Sequence, residues 1–221
     1  ALSPKEDALN KPWRPIPAKR ISVSGARQLR LFLIPICIYV SYSFGVLGPG
    51  IMLTAGIYCN NELYFDAHWQ TRNITAALGY FAFEIGASSI ISGNPPDALE
   101  PKTLSALIAS TFLILTTIHA QDFRDVAGDL AQGRCTLPIV APTWSRRGMP
   151  FLLILWPILL QPLYGFTASV ITIHLALSFS VGMRFYVMRS AQDDDLSYLF
   201  YNVGFGNQVS CLKPAQSFCP F

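Results

Sequence analysis

Asp122, Asp125 and Asp129 stand three and four residues apart in the stretch "HAQDFRDVAGDLAQGRCTLP", His119 to Pro138, directly after an apolar run. On a continuous helix that spacing brings three carboxylates to one face. Carboxylates so close repel one another, so the arrangement calls for a cation. Magnesium fits, because it accepts carboxylate oxygens while keeping waters and phosphate oxygens in its octahedron. Arg124 and Arg134 belong to the same stretch, and their planar donor forks suit diphosphate oxygens. Gly128 and Gly133 allow close backbone approach and a bend away from the helix. The competing reading is a solvated acidic loop, which the scarcity of charge elsewhere disfavours. An isoprenoid diphosphate would suit the place: its charged head matches the loop, and its hydrocarbon tail matches an apolar bundle.

The elements that would hold these residues are apolar. The chain has 221 residues, of which 52% are hydrophobic and 13% charged, with a mean hydropathy of +0.38; soluble domains carry about 25% charge. Apolar stretches run from Leu29 to Leu47, Ile51 to Tyr64, Ile74 to Ile91, Leu104 to Ala120, Met149 to Leu163 and Phe166 to Val187. A bilayer crossing takes about 20 residues, which two of these stretches reach and the others approach. The expected fold class is therefore all-α, a multi-pass transmembrane bundle with about six visible spanning helices. A soluble bundle would not carry six helices with so little polar surface. Residues 1–189 form the membrane domain, and residues 190–221 form a C-terminal tail, carrying "DDD" at 193–195, that could start a further helix.

Charge placement sets the orientation. With the N-terminal segment in the cytoplasm and every run crossing, the inner segments hold Lys5, Lys11, Arg14, Lys19, Arg20, Arg27, Arg30, Arg72, Arg124, Arg134, Arg146, Arg147, Arg184 and Arg189. The outer turns hold only Lys102. This is the positive-inside pattern, and it makes the aspartate stretch cytoplasmic. The expected macroscopic partner is a lipid bilayer, not a nucleic acid. Pro12, Pro15 and Pro17 exclude a regular helix from the basic N-terminal segment.

The cysteines, at 37, 59, 135, 211 and 219, show no paired metal spacing. Glu84 lies deep in an apolar run, where a charge is costly and calls for a partner such as Arg72 or a polar group. His174, similarly placed, reads as a hydrogen-bonded core residue. Tyr80, Phe81, Phe83 and Tyr164 are candidates to line a prenyl channel, where ring faces shield a cation, or to face lipid. Asn61, Glu62, Asp66 and His68 form a second polar group that could cap a cavity, although helix ends at a bilayer surface often have this composition.

The aspartate stretch resembles the second aspartate-rich motif of the UbiA-type intramembrane prenyltransferases. Asp122, Asp125, Gly128, Asp129, Gly133, Thr136, Leu137 and Pro138 match it, with Gln121 where that family often has Lys. The opening residues resemble the end of the first motif in Asp7, Asn10, Lys11, Pro12, Arg14, Pro15, Ile16 and Pro17. Ser3 stands where an earlier Asp is expected, which implies an N-terminally incomplete chain or a first metal site that has degenerated. The segment from Cys59 to Tyr80 looks like fungal members, which implies secondary or terpenoid metabolism and an endoplasmic reticulum membrane.

The resemblance implies magnesium-dependent transfer of a prenyl group from an isoprenoid diphosphate to an aromatic or other small acceptor. Asp7, Asp122, Asp125 and Asp129 would be the metal ligands. Asn10, Lys11, Arg14, Arg124 and Arg134 would bind the diphosphate. Two alternatives stand beside this reading: a terpene cyclase of the same fold, in which the cation is captured by its own double bonds, and a non-catalytic membrane remnant.

Overall fold

The computed structural model describes residues 7–8 and 11–211. Asn10, Ser3 and Cys219 lie outside the described residues. Between Val23 and Cys211 the chain forms nine α-helices: α1 Val23–Ser43, α2 Leu47–Glu62, α3 Trp69–Ser92, α4 Pro101–Thr117, α5 Val126–Ala131, α6 Leu137–Val140, α7 Pro142–Tyr164, α8 Ala168–Val187 and α9 Ala191–Cys211. Short 3-10 turns at Phe65–Ala67, Pro96–Ala98 and Ile118–Asp122 join or extend them. The described residues contain no strand, only a single bridge between His68 and Cys135.

All six apolar runs fall mostly in helices. Four segments are long and apolar enough to cross a membrane, namely Val23–Ser43, Trp69–Ser92, Pro101–Asp122 and Ala168–Val187. The expected count of six is not reached on this measure. The 16 residues of α2 extend about 24 Å, short of a hydrocarbon core about 30 Å thick. In α7 the first turns carry Arg146 and Arg147, and Pro150, Pro157 and Pro162 interrupt its interior.

Consecutive helices pack as a row: α1 on α2, α2 on α3, α3 on α4, α4 on α7, α7 on α8 and α8 on α9. At the far end α9 turns back onto the Ile118–Asp122 turn. No side chain of α1 is buried, and Leu31, Phe32, Tyr39 and Tyr42 are among its exposed residues. In water such a surface would be a liability; in hydrocarbon it faces a matching solvent. A close backbone-to-backbone seam lies between α7 and α8. A Cβ at Gly182 would come within 2.4 Å of the Pro150 Cα, so only glycine lets the two backbones approach this closely.

The core is asymmetric. Ala77, Leu113, Ile114, Ile118, Phe123, Met149, Leu153, Leu160, Val181, Phe185 and Tyr201 form one buried cluster drawn from α3, α4, α7, α8, α9 and the aspartate stretch. Phe123 stands between the first two aspartates, so the stretch is anchored in the core by its own sequence. After Arg189 the chain forms the 21-residue α9.

Candidate active site

The aspartate stretch is not one helix. The chain tightens into the Ile118–Asp122 turn, and α5 begins only after Asp125. Asp125 and Asp129 still share a helical turn, since the Asp129 N–H donates to the Asp125 carbonyl at 2.9 Å. Asp122 is set apart from them. Instead of facing one another across a shared gap, the three buried carboxylates each face a different cationic side chain.

Asp122 is fully buried, and its Oδ1 accepts hydrogen bonds from Arg72 Nε at 3.0 Å and Nη2 at 2.7 Å. Both oxygens of Asp125 accept from Lys11 Nζ, at 2.9 and 2.7 Å. This bond ties the N-terminal segment to the aspartate stretch across 114 residues. Asp129 Oδ1 accepts from Arg134 Nη1 at 3.0 Å, and the other end of the same guanidinium donates to Asp66. Asp7 is buried and accepts from Arg14 Nη1 at 2.7 Å. Five carboxylates therefore meet four cations in direct pairs.

Local backbone geometry explains how Arg134 reaches both partners. Gly133 adopts φ +69°, which an L side chain rarely tolerates, and this turns the chain so that the Arg134 N–H donates to the Asp129 carbonyl at 3.0 Å. One residue on, the Cys135 N–H donates to the Ala67 carbonyl at 2.7 Å, and the Trp69 N–H donates back to the Cys135 carbonyl at 3.0 Å. The connection that carries Asp66 is thereby stitched to the end of the aspartate stretch.

A polar cavity of about 210 Å³ lies among these groups. Its wall contains Asp7, Asp66 and Asp125 against Lys11, Arg14, Arg72, Arg124 and Arg134, three acids and five bases, which leaves two positive charges in excess. Asn60, Asn61 and Gln121 complete it. Asp122 and Asp129 stand behind Arg72 and Arg134, outside the wall. The surface offered to a ligand is thus cationic even though acids and bases nearly balance in the region. Such a surface attracts a multiply charged anion.

Two apolar grooves open from this cavity. One, of about 910 Å³, runs between α1 and α2 past Leu29, Leu33, Cys37, Leu53 and Ile57, and shares Asp7, Arg14 and Asn61 with the polar cavity. The other, of about 590 Å³, runs between α2 and α3 past Gly56, Ala76, Tyr80 and Phe83, and shares Asn60, Asn61, Arg72 and Gln121. Both therefore join a charged head site to a hydrocarbon-lined furrow.

The chemistry of the donor set suits magnesium: the acids offer hard carboxylate oxygens, and Asp122 Oδ2 and Asp129 Oδ2 are buried without a hydrogen-bond partner. Among the described residues, however, no three His, Cys, Asp or Glu side chains converge closely enough to hold an ion. The intervening Lys11, Arg72 and Arg134 account for that separation.

Other candidates lie around this centre. Asn61 lines all three cavities and donates to the Ile57 carbonyl at 2.7 Å. Glu62 pairs with Arg30, whose guanidinium holds its carboxyl below the usual carboxylate range. His68 contributes its backbone: its carbonyl accepts from the Arg72 N–H at 2.9 Å, at the start of α3. Arg124 lines the cavity but pairs with Asp195 and lies 4.5 Å from the Tyr198 ring centroid. Glu84 is partnered by Ser110 Oγ at 2.9 Å, the polar partner expected, while Arg72 serves Asp122. Of the aromatics, Tyr80 and Phe83 line the α2–α3 groove, and Tyr164 packs on Phe166. His174 is buried with its Nδ1 unpartnered, edge-on to Phe166.

Sequence reasoning read Arg72 only as an inner-side charge and a partner for Glu84, and it passed over Asn60. The available signal was an arginine three residues into a span, on the same side of the membrane as an acid-rich connection.

Residues 2–204 match the UbiA prenyltransferase family. The polyprenyl transferase eriF of Hericium erinaceus is 30% identical over 202 residues, covering 89% of this chain and 67% of the relative. The fumagillin beta-trans-bergamotene synthase af520 of Aspergillus fumigatus is 27% identical over 197 residues, covering 89% and 68%. The somaliensene A/B synthase of Streptomyces somaliensis is 33% identical over 137 residues, covering 62% of this chain and 44% of that protein. The chain thus spans roughly half to two thirds of the length of these relatives. A solved structure described by its work on a digeranylgeranylglyceryl phosphate synthase in membranes superimposes with a TM-score of 0.58 at 18% identity, covering 96% of this chain and 76% of that one, and supports the fold.

Proposed function

The chain belongs to the UbiA prenyltransferase family, and from that premise we propose that it transfers a prenyl group, within the membrane and with magnesium, from an isoprenoid diphosphate to a small acceptor. One observation carries this reading: a cavity whose wall has two more bases than acids opens directly onto apolar grooves. That combination fits a ligand with an anionic head and a hydrocarbon tail, as an isoprenoid diphosphate has, and family membership selects that donor among such amphiphiles.

In this reading Lys11, Arg14, Arg72 and Arg134 turn from their carboxylates to the diphosphate oxygens. Asp7, Asp122, Asp125 and Asp129 would then hold magnesium, with Asn10 and Asn61 positioning the head. The ion would supply neutralisation of the diphosphate's negative charge, which makes it a better leaving group. Both bonding electrons leave with the diphosphate oxygen. The acceptor attacks the resulting allylic cation and loses a proton. Arg72 and Arg134, whose side chains are only 14% and 11% exposed, stabilise the departing charge as largely buried donors. Arg124 serves mainly as a positioning group because of its bond to Asp195.

Membership in the family makes this an integral membrane protein, a reading supported by four helices apolar enough to cross. We further infer an endoplasmic reticulum membrane, which the resemblance of Cys59–Tyr80 to fungal members implies, with the aspartate stretch facing the cytoplasm because of the arginine asymmetry. A cyclase is the second reading. It is favoured by Tyr80 and Phe83 in the α2–α3 groove, whose ring faces can shelter a cation that no acceptor captures.

The test is diphosphate release from geranyl, farnesyl and geranylgeranyl diphosphates by the purified protein in detergent, with magnesium or a chelator, with and without aromatic acceptors. Magnesium-dependent release that Asp125→Asn abolishes supports the site, and cyclic products without acceptor select the cyclase. Donor neither bound nor turned over would reject both readings.

A further inference from the structure

The sequence motif left unused by this reading is the run Asp193–Asp195 at the start of α9. In the fold it lies against the back of the aspartate stretch. Asp194 is 1% exposed in its side chain and pairs with Arg146 of α7, whose Nη1 and Nη2 donate to its two oxygens at 2.9 and 2.7 Å. Arg146 Nη1 also donates to the Phe185 and Met188 carbonyls at 2.9 and 3.2 Å. The same guanidinium lies 4.5 Å from the centroid of Phe123, the residue between Asp122 and Arg124.

A second set of contacts runs alongside. Arg124 pairs with Asp195 and lies over the Tyr198 ring. Thr117 Oγ1 and the Tyr201 hydroxyl meet at 2.8 Å, both buried. Asp195, Tyr198 and Tyr201 recur every three residues, so one side of α9 meets the segment from Thr117 to Arg124. The carboxylates beside these contacts have partners away from α9: Asp122 pairs with Arg72, and Asp125, the residue after Arg124, pairs with Lys11.

We propose that α9 is a positioning clamp for the aspartate stretch: Asp194 through Arg146 and Phe123, and Asp195 with Tyr198 through Arg124, fix where Asp122 and Asp125 point. The inference rests on the proposed metal and diphosphate site for its consequence but not for its geometry. Asp194, Arg146, Asp195 and Tyr198 are positioning residues, since none of them reaches the ligand. Groups that orient ligand side chains in this way typically govern metal affinity.

Hydrogen exchange on the whole chain in detergent, without metal, reads the clamp directly. Asp194→Asn should raise exchange by about tenfold or more within Thr117–Arg134, over and above any change elsewhere. Leu160→Ala is the control, because it opens a cavity in the same core about 21 Å along α7 from Arg146 and should raise exchange without that local excess. A profile for Asp194→Asn that matches Leu160→Ala overturns the clamp. Where Asp194→Asn does not fold, the double variant Asp195→Asn, Tyr198→Leu removes both Arg124 contacts from a more exposed side, and unchanged local exchange there overturns it equally.

Manganese titration in the presence of inorganic diphosphate reads the consequence. Half-saturation should rise about tenfold or more in Asp194→Asn and stay near the parent value in Leu160→Ala. Equal shifts in the two variants would reduce α9 to general support. A parent chain that binds neither ion rejects the proposed function, while the exchange result still decides the clamp.

Discussion

Replacing Arg72 with methionine tests the electrostatic design of the site. Asp122 has no exposed side-chain surface, its Oδ1 is held only by the Arg72 guanidinium among the bonds described, and its Oδ2 has no hydrogen-bond partner. Methionine fills much of the arginine volume but leaves the carboxylate buried and unpaired. Breaking a buried pair from one side costs about 3–5 kcal/mol, because the stranded charge keeps its desolvation penalty. At about 2–4 °C per kcal/mol for a chain of this size, the thermal midpoint should fall by about 6–20 °C. Adding Asp122→Asn removes the stranded charge and should recover about half of that loss or more. Thermal unfolding of the four proteins in one detergent completes a double-mutant cycle. Donor binding measured on the same samples separates stability from function: the double variant should regain stability without regaining affinity for the diphosphate. An Arg72→Met loss below about 1 kcal/mol, or a double variant no more stable than the single one, would refute the argument that Asp122 depends on this pair.

Two further outcomes follow from the packing. Gly182→Ala forces α7 and α8 apart at Pro150, and overpacking of this kind should cost about 1–3 kcal/mol in thermal unfolding; an unchanged midpoint would contradict the 2.4 Å approach. Glu84→Gln keeps the acceptor for Ser110 while removing a charge whose second oxygen has no partner, so stability should hold or rise by up to about 1 kcal/mol with activity intact. A large loss of diphosphate release in that variant would give Glu84 a role in the reaction.

Local sequence made the helices legible because apolar length is a local property, and each of the six runs lies mostly in one helix, although the run Leu29–Leu47 is broken by a turn at 44–46. The family resemblance pointed to Asp7 and Lys11, more than a hundred positions from the aspartate stretch, whereas Arg72 of the same cavity wall carried no such mark. What local sequence could not encode was which acid faces which base. Asp122 meets Arg72 across 50 residues and Asp129 shares Arg134 with Asp66, and these choices arise only when α3 and the turn at Ile118–Asp122 are packed together. The expectation of one helical face failed for a geometric reason: the chain tightens into a 3-10 turn over Ile118–Asp122, and Asp125, at φ −98° and ψ 3°, departs from α geometry before α5 begins, while Phe123 packs between Phe185 and His119. The acidic run at 193–195 has its partners, Arg124 and Arg146, in other elements, so the local sequence names neither.

Helix α2 separates the two furrows, and Leu53 and Ile57 line both. It is therefore a shared partition wall. A bulkier side chain at either position, or a small tilt of this short helix toward α1, narrows one furrow while altering the width of the other. The space for one hydrocarbon chain cannot be adjusted through α2 without changing the space for a second, so selection for a longer tail and selection for a larger co-substrate act on the same few residues.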